Sequence, residues 1–222
     1  MIIDRRFNGP PDTGNGGYTA GLVASQLEVA GDEVAEVTLR QPPPLATPLR
    51  VVPTGQGIEV YAEREQPVAE ARPVRFDEPM VPAVSYDEAV DAAARYPGFA
   101  DHPFPTCYVC GPQRPDGLRI FPGPLPDGRG TAAPWTVPED VTAVTVWAAL
   151  DCPGGWAIIA PGRPYVLGRM AARVLSVPPA GAGCVVVGAV VATEGRKAQV
   201  RSTVYGPGGE PLGYARSTWL AI

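Results

Sequence analysis

One histidine, His102, stands in 222 residues, which removes every mechanism that needs two imidazoles. The chain has no G-x-S-x-G turn, so a serine nucleophile elbow is absent. It has no phosphate-loop pattern and no G-x-G-x-x-G following a strand, since GPGGEPLG falls in a hairpin turn; both readings argue against nucleotide-binding sites of those kinds. Four cysteines, at 107, 110, 152 and 184, are too few and too unevenly spaced for a disulfide-built scaffold. No apolar run approaches a membrane span, and the opening MIIDRRFNG lacks the apolar stretch of a signal peptide, so the expectation is a cytoplasmic protein with no membrane partner. Basic side chains are the minority, 18 against 23 acidic, and form no cluster, which removes the electrostatic basis for nucleic-acid binding.

What is abundant is turn-forming chemistry on an apolar background. The 26 glycines and 28 prolines show no collagen period, and 45% of residues are hydrophobic, enough for a substantial core. The prolines and glycines punctuate β-like runs. Glu33 to Arg40, Thr47 to Val52, Gly57 to Arg64 and Pro67 to Val74 read as strands in the first half. LRIFPGP and AAPWTV, then Tyr165 to Val177, Gly183 to Thr193, Lys197 to Tyr205 and Pro211 to Leu220, read as strands in the second, the last three as a meander. Ser85 to Arg95 is a short helix with a capping box from Ser85 to Glu88.

The most telling pattern is an echo. Gly16-Gly17-Tyr18 in TGNGGYTAGLVASQL is answered by Gly154-Gly155-Trp156 in AALDCPGGWAIIA. Each pair of glycines follows a polar residue and precedes a small, apolar run, so each is expected to open a helix that lies close against a sheet. Pro153 suits a first helical turn, where a missing donor costs nothing. Two copies of one unit follow: residues 1–76, a connecting segment 77–116 holding the short helix and the Cys-x-x-Cys loop, and residues 117–222.

The segments FNGPPDTGNGGYTAGLVA, HPFPTCYVCGPQRPDGLRIFPGP and VWAALDCPGGWA, with the strands after them, resemble the hotdog-fold superfamily and its double-hotdog, acyl-CoA thioesterase-like members. The resemblance implies an α+β fold in which two central helices are each wrapped by antiparallel β-sheet. It implies an acyl-CoA or other acyl thioester as partner, no cofactor, and a homodimer as a further level of association. It also implies hydrolysis by water, with a helix-start N–H polarising the thioester carbonyl; the alternative is a non-catalytic acyl or hydrophobic-ligand binding protein. Carried onto this chain, the oxyanion donors are the N–H groups of Gly17 or Tyr18 and of Gly155 or Trp156. A helix start suits that role independently, because its unpaired donors and positive end face developing oxygen charge.

Asp151 is the leading acid or base in the second half, and Asp12, Asn15 and Thr13 are its counterparts in the first. An aspartate beside a helix start is also an ordinary cap. Tyr18, Trp147 and Trp156 are the aromatic candidates for an acyl tunnel. The superfamily's dehydratases pair a histidine with an acid near the central helix, whereas His102 lies in the middle loop. Cys107 and Cys110 with His102 supply three ligands of a zinc set, Asp101 or Cys152 being the fourth. A second C-x-x-C or histidine pair is missing, so the loop reads as a packed, reduced turn and no metal is assigned. Cys152, without a histidine partner, reads as a small buried group.

Overall fold

Asn15 starts the first helix. In the computed structural model, which describes residues 1–63, 65–160 and 162–222, its side-chain oxygen accepts the Tyr18 N–H at 2.9 Å and caps α1 (Gly16–Ala24). Four strands follow: β1 (Glu33–Leu39), β2 (Arg50–Thr54), β3 (Gly57–Tyr61) and β4 (Ala69–Arg75). The expected far end of the third, Arg64, lies outside the described residues. Helix α2 (Tyr86–Ala93) forms with its Ser85–Glu88 capping box complete. Next come β5 (Gly123–Pro124), β6 (Thr131–Thr136), helices α3 (Ala143–Ala149) and α4 (Cys152–Trp156), and strands β7 (Tyr165–Val174), β8 (Gly183–Glu194), β9 (Lys197–Tyr205) and β10 (Pro211–Ala221).

All ten described strands join one antiparallel sheet in the order β2-β3-β4-β1-β7-β10-β9-β8-β6-β5. The two halves meet where β1 pairs with β7, Val37 opposite Met170. One face carries the main core, in which Ala20 and Val23 of α1 and Val146 and Leu150 beside them pack with Val37, Met170, Val186 and Val200 of the strands. Neighbouring residues of β8 face the other way: Val185 and Val187 pack with Ala89 and Ala92 of α2. That double burial explains why β8 reads as the unbroken apolar run CVVV rather than an alternation. Among the described residues no helix is long and apolar enough to cross a membrane.

Two sequence expectations need correction. LRIFPGP contributes only Gly123 and Pro124 to the sheet, because the Leu118 and Ile120 N–H groups donate instead to the carbonyls of Tyr108 and Val109 in the cysteine loop. The second Gly-Gly-aromatic turn does not open the second central helix. That helix begins eleven residues or so earlier, about three turns back, where Thr142 and Thr145 form a reciprocal capping box; Gly154 and Gly155 sit inside the short α4, after a break at Asp151. The glycines there serve packing. A Cβ on Gly154 would lie 2.5 Å from Val200 Cγ2, and one on Gly155 2.5 Å from the Trp219 ring.

α1 and α3 cross at close range and run antiparallel. Gly17 faces Asp151 and the Trp147 carbonyl, and Gly21, one turn on, faces Trp147 and Val144. The glycines thus bring the start of α1 against the end of α3, which is what assembles the site below.

The opposite face of the central strands holds a charged network. Glu36 of β1, buried, is hydrogen-bonded to Arg72 (2.8 Å) and Arg216 (3.1 Å), and Arg216 and Arg201 also hold Glu78. Burial pushes the Glu36 carboxyl up, but Arg72 first and then Arg169 and Arg216 outweigh it and hold it below its usual 4.5. Because the arginines stay half-exposed, the expected loss for Glu36→Gln is about 1–2 kcal/mol at neutral pH. A carboxyl held low in the fold stabilises above its unfolded value and loses that contribution as pH falls through the folded one. Urea unfolding of both proteins between pH 7 and pH 3 is therefore expected to show a gap that closes below about 4; a gap independent of pH contradicts the assignment.

Candidate active site

Three segments distant in sequence converge on one cavity of about 400 Å³: the start of α1, the break between α3 and α4, and the Cys107–Cys110 loop. Asp151 occupies the break. It is fully buried, and its Oδ2 accepts the Gly17 N–H (2.9 Å) and the Asn15 Nδ2–H (3.3 Å), while its Oδ1 has no hydrogen-bond partner among the described residues. Burial pushes the carboxyl up to about 7; the Gly17 N–H and the Asn15 amide oppose this, and the Cys107 sulfur adds to it. Asp151 is therefore tied by one oxygen to the positive end of α1 and carries a second oxygen without a partner.

The walls are apolar. Ile159, Leu167, Tyr165, Trp156, Trp219 and Phe104 are among the residues that line it. Leu167 reaches it through an irregularity in β7: Arg169 pairs with Thr218 and Leu167 with Trp219, so Gly168 is an extra residue, a bulge that re-aims its neighbours.

The cysteine loop forms the remaining side. Tyr96 Oη donates to the Cys110 carbonyl (3.0 Å) and packs edge-on against Trp156, and His102 sits 5.1 Å from the same indole, so α4 and the loop are held together. The sulfurs of Cys107, Cys110 and Cys152 all lie within 4.8 Å of one another, buried and unbridged. Cys110 and Cys152 direct their thiols at Cys107, which holds Cys107 well below the ordinary thiol value; burial pushes Cys110 up, and the bonds to Cys107 and Cys110 push Cys152 up.

The structure distributes the sequence candidates unevenly. Asp151, Asn15 and Thr13 line the cavity, Thr13 with its hydroxyl turned to the Pro10 carbonyl (3.4 Å). Asp12 is exposed on a positive-φ turn (63°) and is not among the lining residues. Three of the four expected oxyanion donors are committed elsewhere: Gly17 N–H to Asp151, Tyr18 N–H to Asn15, and Gly155 N–H to the Asp151 carbonyl (3.4 Å) inside its own helix; the fourth, Trp156, lies at the end of that helix. Of the expected tunnel aromatics only Trp156 lines the cavity. Tyr18 stacks on Phe7 at 3.8 Å between centroids, and Trp147 is absorbed by the α1–α3 crossing against Gly21.

One donor was overlooked in the sequence. Gly16, at the first position of α1, lines the cavity, and its N–H has no acceptor among the described residues. The signal for it is the Asn15 cap, which fixes where the helix begins and leaves the first N–H outside the helical ladder.

No protein-family model matches the sequence, and no curated protein matches it. Solved structures do. A protein of Novosphingobium aromaticivorans, described provisionally as a thioesterase, is similar over 100% of this chain and 94% of its own, with a TM-score of 0.63 at 13% identity. The tesB protein of Mycobacterium avium subspecies paratuberculosis covers 96% of this chain and 89% of its own (TM-score 0.59, 14% identity). A protein of unknown function with a hot dog fold from Alicyclobacillus acidocaldarius covers 99% and 91% (TM-score 0.58, 13% identity). The fold is a double hotdog. In this double hotdog α1 and the α3–α4 pair are the two central helices, and the cavity opens where the start of one meets the broken end of the other.

Proposed function

We propose that this double hotdog binds an acyl thioester in the cavity and hydrolyses it by direct attack of water. The observation that carries the reading is Asp151: a buried carboxylate in an apolar cavity, one oxygen anchored to the start of α1 and the other unpaired, with the uncommitted Gly16 N–H in the lining of the same cavity. The thioester carbonyl oxygen accepts from Gly16 N–H, where the end of the α1 dipole favours the charge that develops. Asp151 Oδ1 takes a proton from water as the water oxygen bonds to the carbonyl carbon. Collapse of the tetrahedral intermediate breaks the C–S bond, and the proton on Asp151 passes to the departing sulfur, leaving a carboxylic acid and a thiol. Asn15 caps α1 and keeps Asp151 in place through its Nδ2.

The Novosphingobium protein of the same fold is itself described provisionally as a thioesterase, which supports the reading without specifying acyl group or carrier. The second reading, binding without turnover, draws on the fact that Gly17 and Tyr18 already use their N–H groups inside the protein.

The test is release of thiol from a panel of acyl-CoA thioesters with short, long and aromatic acyl groups, by the wild type and by Ile159→Trp. Ile159 is a half-buried wall residue that is not among the hydrogen-bond partners of Asp151, and the larger ring is expected to take up cavity volume. The expected result is turnover of part of the panel by the wild type, and in the variant a loss of about tenfold or more in kcat/KM confined to the bulkiest acyl groups accepted. No turnover of any member overturns the hydrolase in favour of binding.

A further inference from the structure

We propose that Cys107, Cys110 and Cys152 bind one thiophilic divalent cation, with zinc as the best match, leaving its fourth coordination position open to the cavity. The inference does not depend on the acyl-thioester reading. Its basis is the convergence of three buried sulfurs from two separate elements, the loop after α2 and the first residue of α4, onto one point.

Three features set this trio apart from an ordinary packed turn. The first is the shape of the loop. Gly111 follows the second cysteine and donates its N–H to the Cys107 carbonyl (2.9 Å); a Cβ there would lie 2.5 Å from Cys107 N and 2.6 Å from Pro105 O, so the turn closes only with glycine. It brings both loop sulfurs to one side. The second is spacing. Sulfurs at about 2.3 Å from a tetrahedral zinc are about 3.8 Å apart, and these lie within 4.8 Å of one another, so small side-chain rotations suffice and no backbone need move.

The third feature is the company the sulfurs keep. Trp156 Nε1–H points at Cys110 Sγ (3.4 Å), Asn15 Nδ2–H at Cys107 Sγ (3.7 Å), and His102 Nε2 lies 3.4 Å from Cys110 Sγ. Neutral thiols are weak acceptors, and a set of N–H donors aimed at them is the surrounding that metal-bound thiolates require. His102 belongs to these donors and not to the ligands. Its Nδ1 accepts the Phe104 N–H (2.8 Å), which places the ring proton on Nε2, the atom facing sulfur. The fourth position is thus left to water or another small exogenous ligand entering from the cavity, which all three cysteines line. Binding displaces the thiol protons to solvent, and no oxidation state changes.

The test uses full-length protein produced with added zinc, purified anaerobically, and analysed for metal per chain. In parallel, metal-free protein is titrated with cobalt(II) and read by thiolate-to-cobalt charge-transfer absorption. About one zinc per chain is expected, with charge transfer saturating at one equivalent of cobalt, and four-coordinate d–d bands. Cys152→Ser and Cys107→Ser are expected to lower zinc content at least about tenfold, while Cys184→Ser, altering a buried thiol on β8 outside the trio, and His102→Gln keep it. Circular dichroism checks that each variant is folded. Absence of both zinc and the cobalt charge-transfer band in folded wild type overturns the site, whatever the variants do. Loss of metal in His102→Gln as complete as in Cys107→Ser overturns the three-sulfur ligand set, because removing one outer N–H donor weakens affinity without abolishing the site.

Discussion

Gly17→Ala is expected to lower the free energy of unfolding by about 3 kcal/mol. Helix propensity alone predicts the opposite, since alanine exceeds glycine in a helix interior by about 1 kcal/mol. Contact decides the sign. The added Cβ would lie 2.5 Å from Asp151 Cβ and 2.8 Å from the Trp147 carbonyl oxygen, and neither is the free end of a flexible side chain. Relief requires α1 to move off α3, which uncovers Ala20, Val23 and Val146 and lengthens the Gly17 N–H to Asp151 bond together. Gly55→Ala, at a position where a Cβ meets nothing within 4 Å, is the control and is expected to change stability by less than about 0.5 kcal/mol. Urea denaturation followed by circular dichroism measures both; a Gly17→Ala protein as stable as the wild type contradicts the close crossing.

Asp151→Asn is expected to remove activity with little change in fold. Asparagine keeps a carbonyl oxygen for the Gly17 N–H and removes the cost of burying a carboxylate, so stability is expected to stay within about 1 kcal/mol of the wild type. It cannot accept the proton of attacking water. General-base assistance contributes about 10²–10⁴-fold, and kcat is expected to fall within that range while KM changes by less than about threefold. Asp12→Asn, on its exposed turn, separates the two aspartates named from sequence and is expected to leave kcat within about twofold of the wild type.

The contrast between the two aspartates shows what the sequence could carry. Local chemistry was legible: the helix opened at Gly16-Gly17, the Ser85–Glu88 box and the meander of β8, β9 and β10 each depend on residues near one another in the chain. The second central helix was harder, because VTVWAAL is rich in β-branched residues and Pro153 imitates a helix start, while its true start is a Thr142–Thr145 box with no acidic residue to advertise it. The site divides along the same line. Asp151 was found because it flanks a helix. Its partnership with Gly17 and Asn15 spans more than 130 residues and exists only because the two glycines of α1 admit α3. The Cys107–Cys110 pair was visible as spacing, whereas the place of Cys152 beside it depends on the packing of Tyr96, His102 and Trp156.

In the proposed reaction the Asp151 carboxylate performs chemistry on an acyl thioester held in this cavity. The most direct measurement pairs thiol release from the best acyl-CoA of the panel with calorimetric binding of the matching thioether, which cannot be hydrolysed, for wild type and Asp151→Asn. The predicted result is equal affinity for the thioether within about twofold and a loss of thiol release of about 100-fold or more in the variant. Undiminished thiol release by folded Asp151→Asn rules out Asp151 as the base.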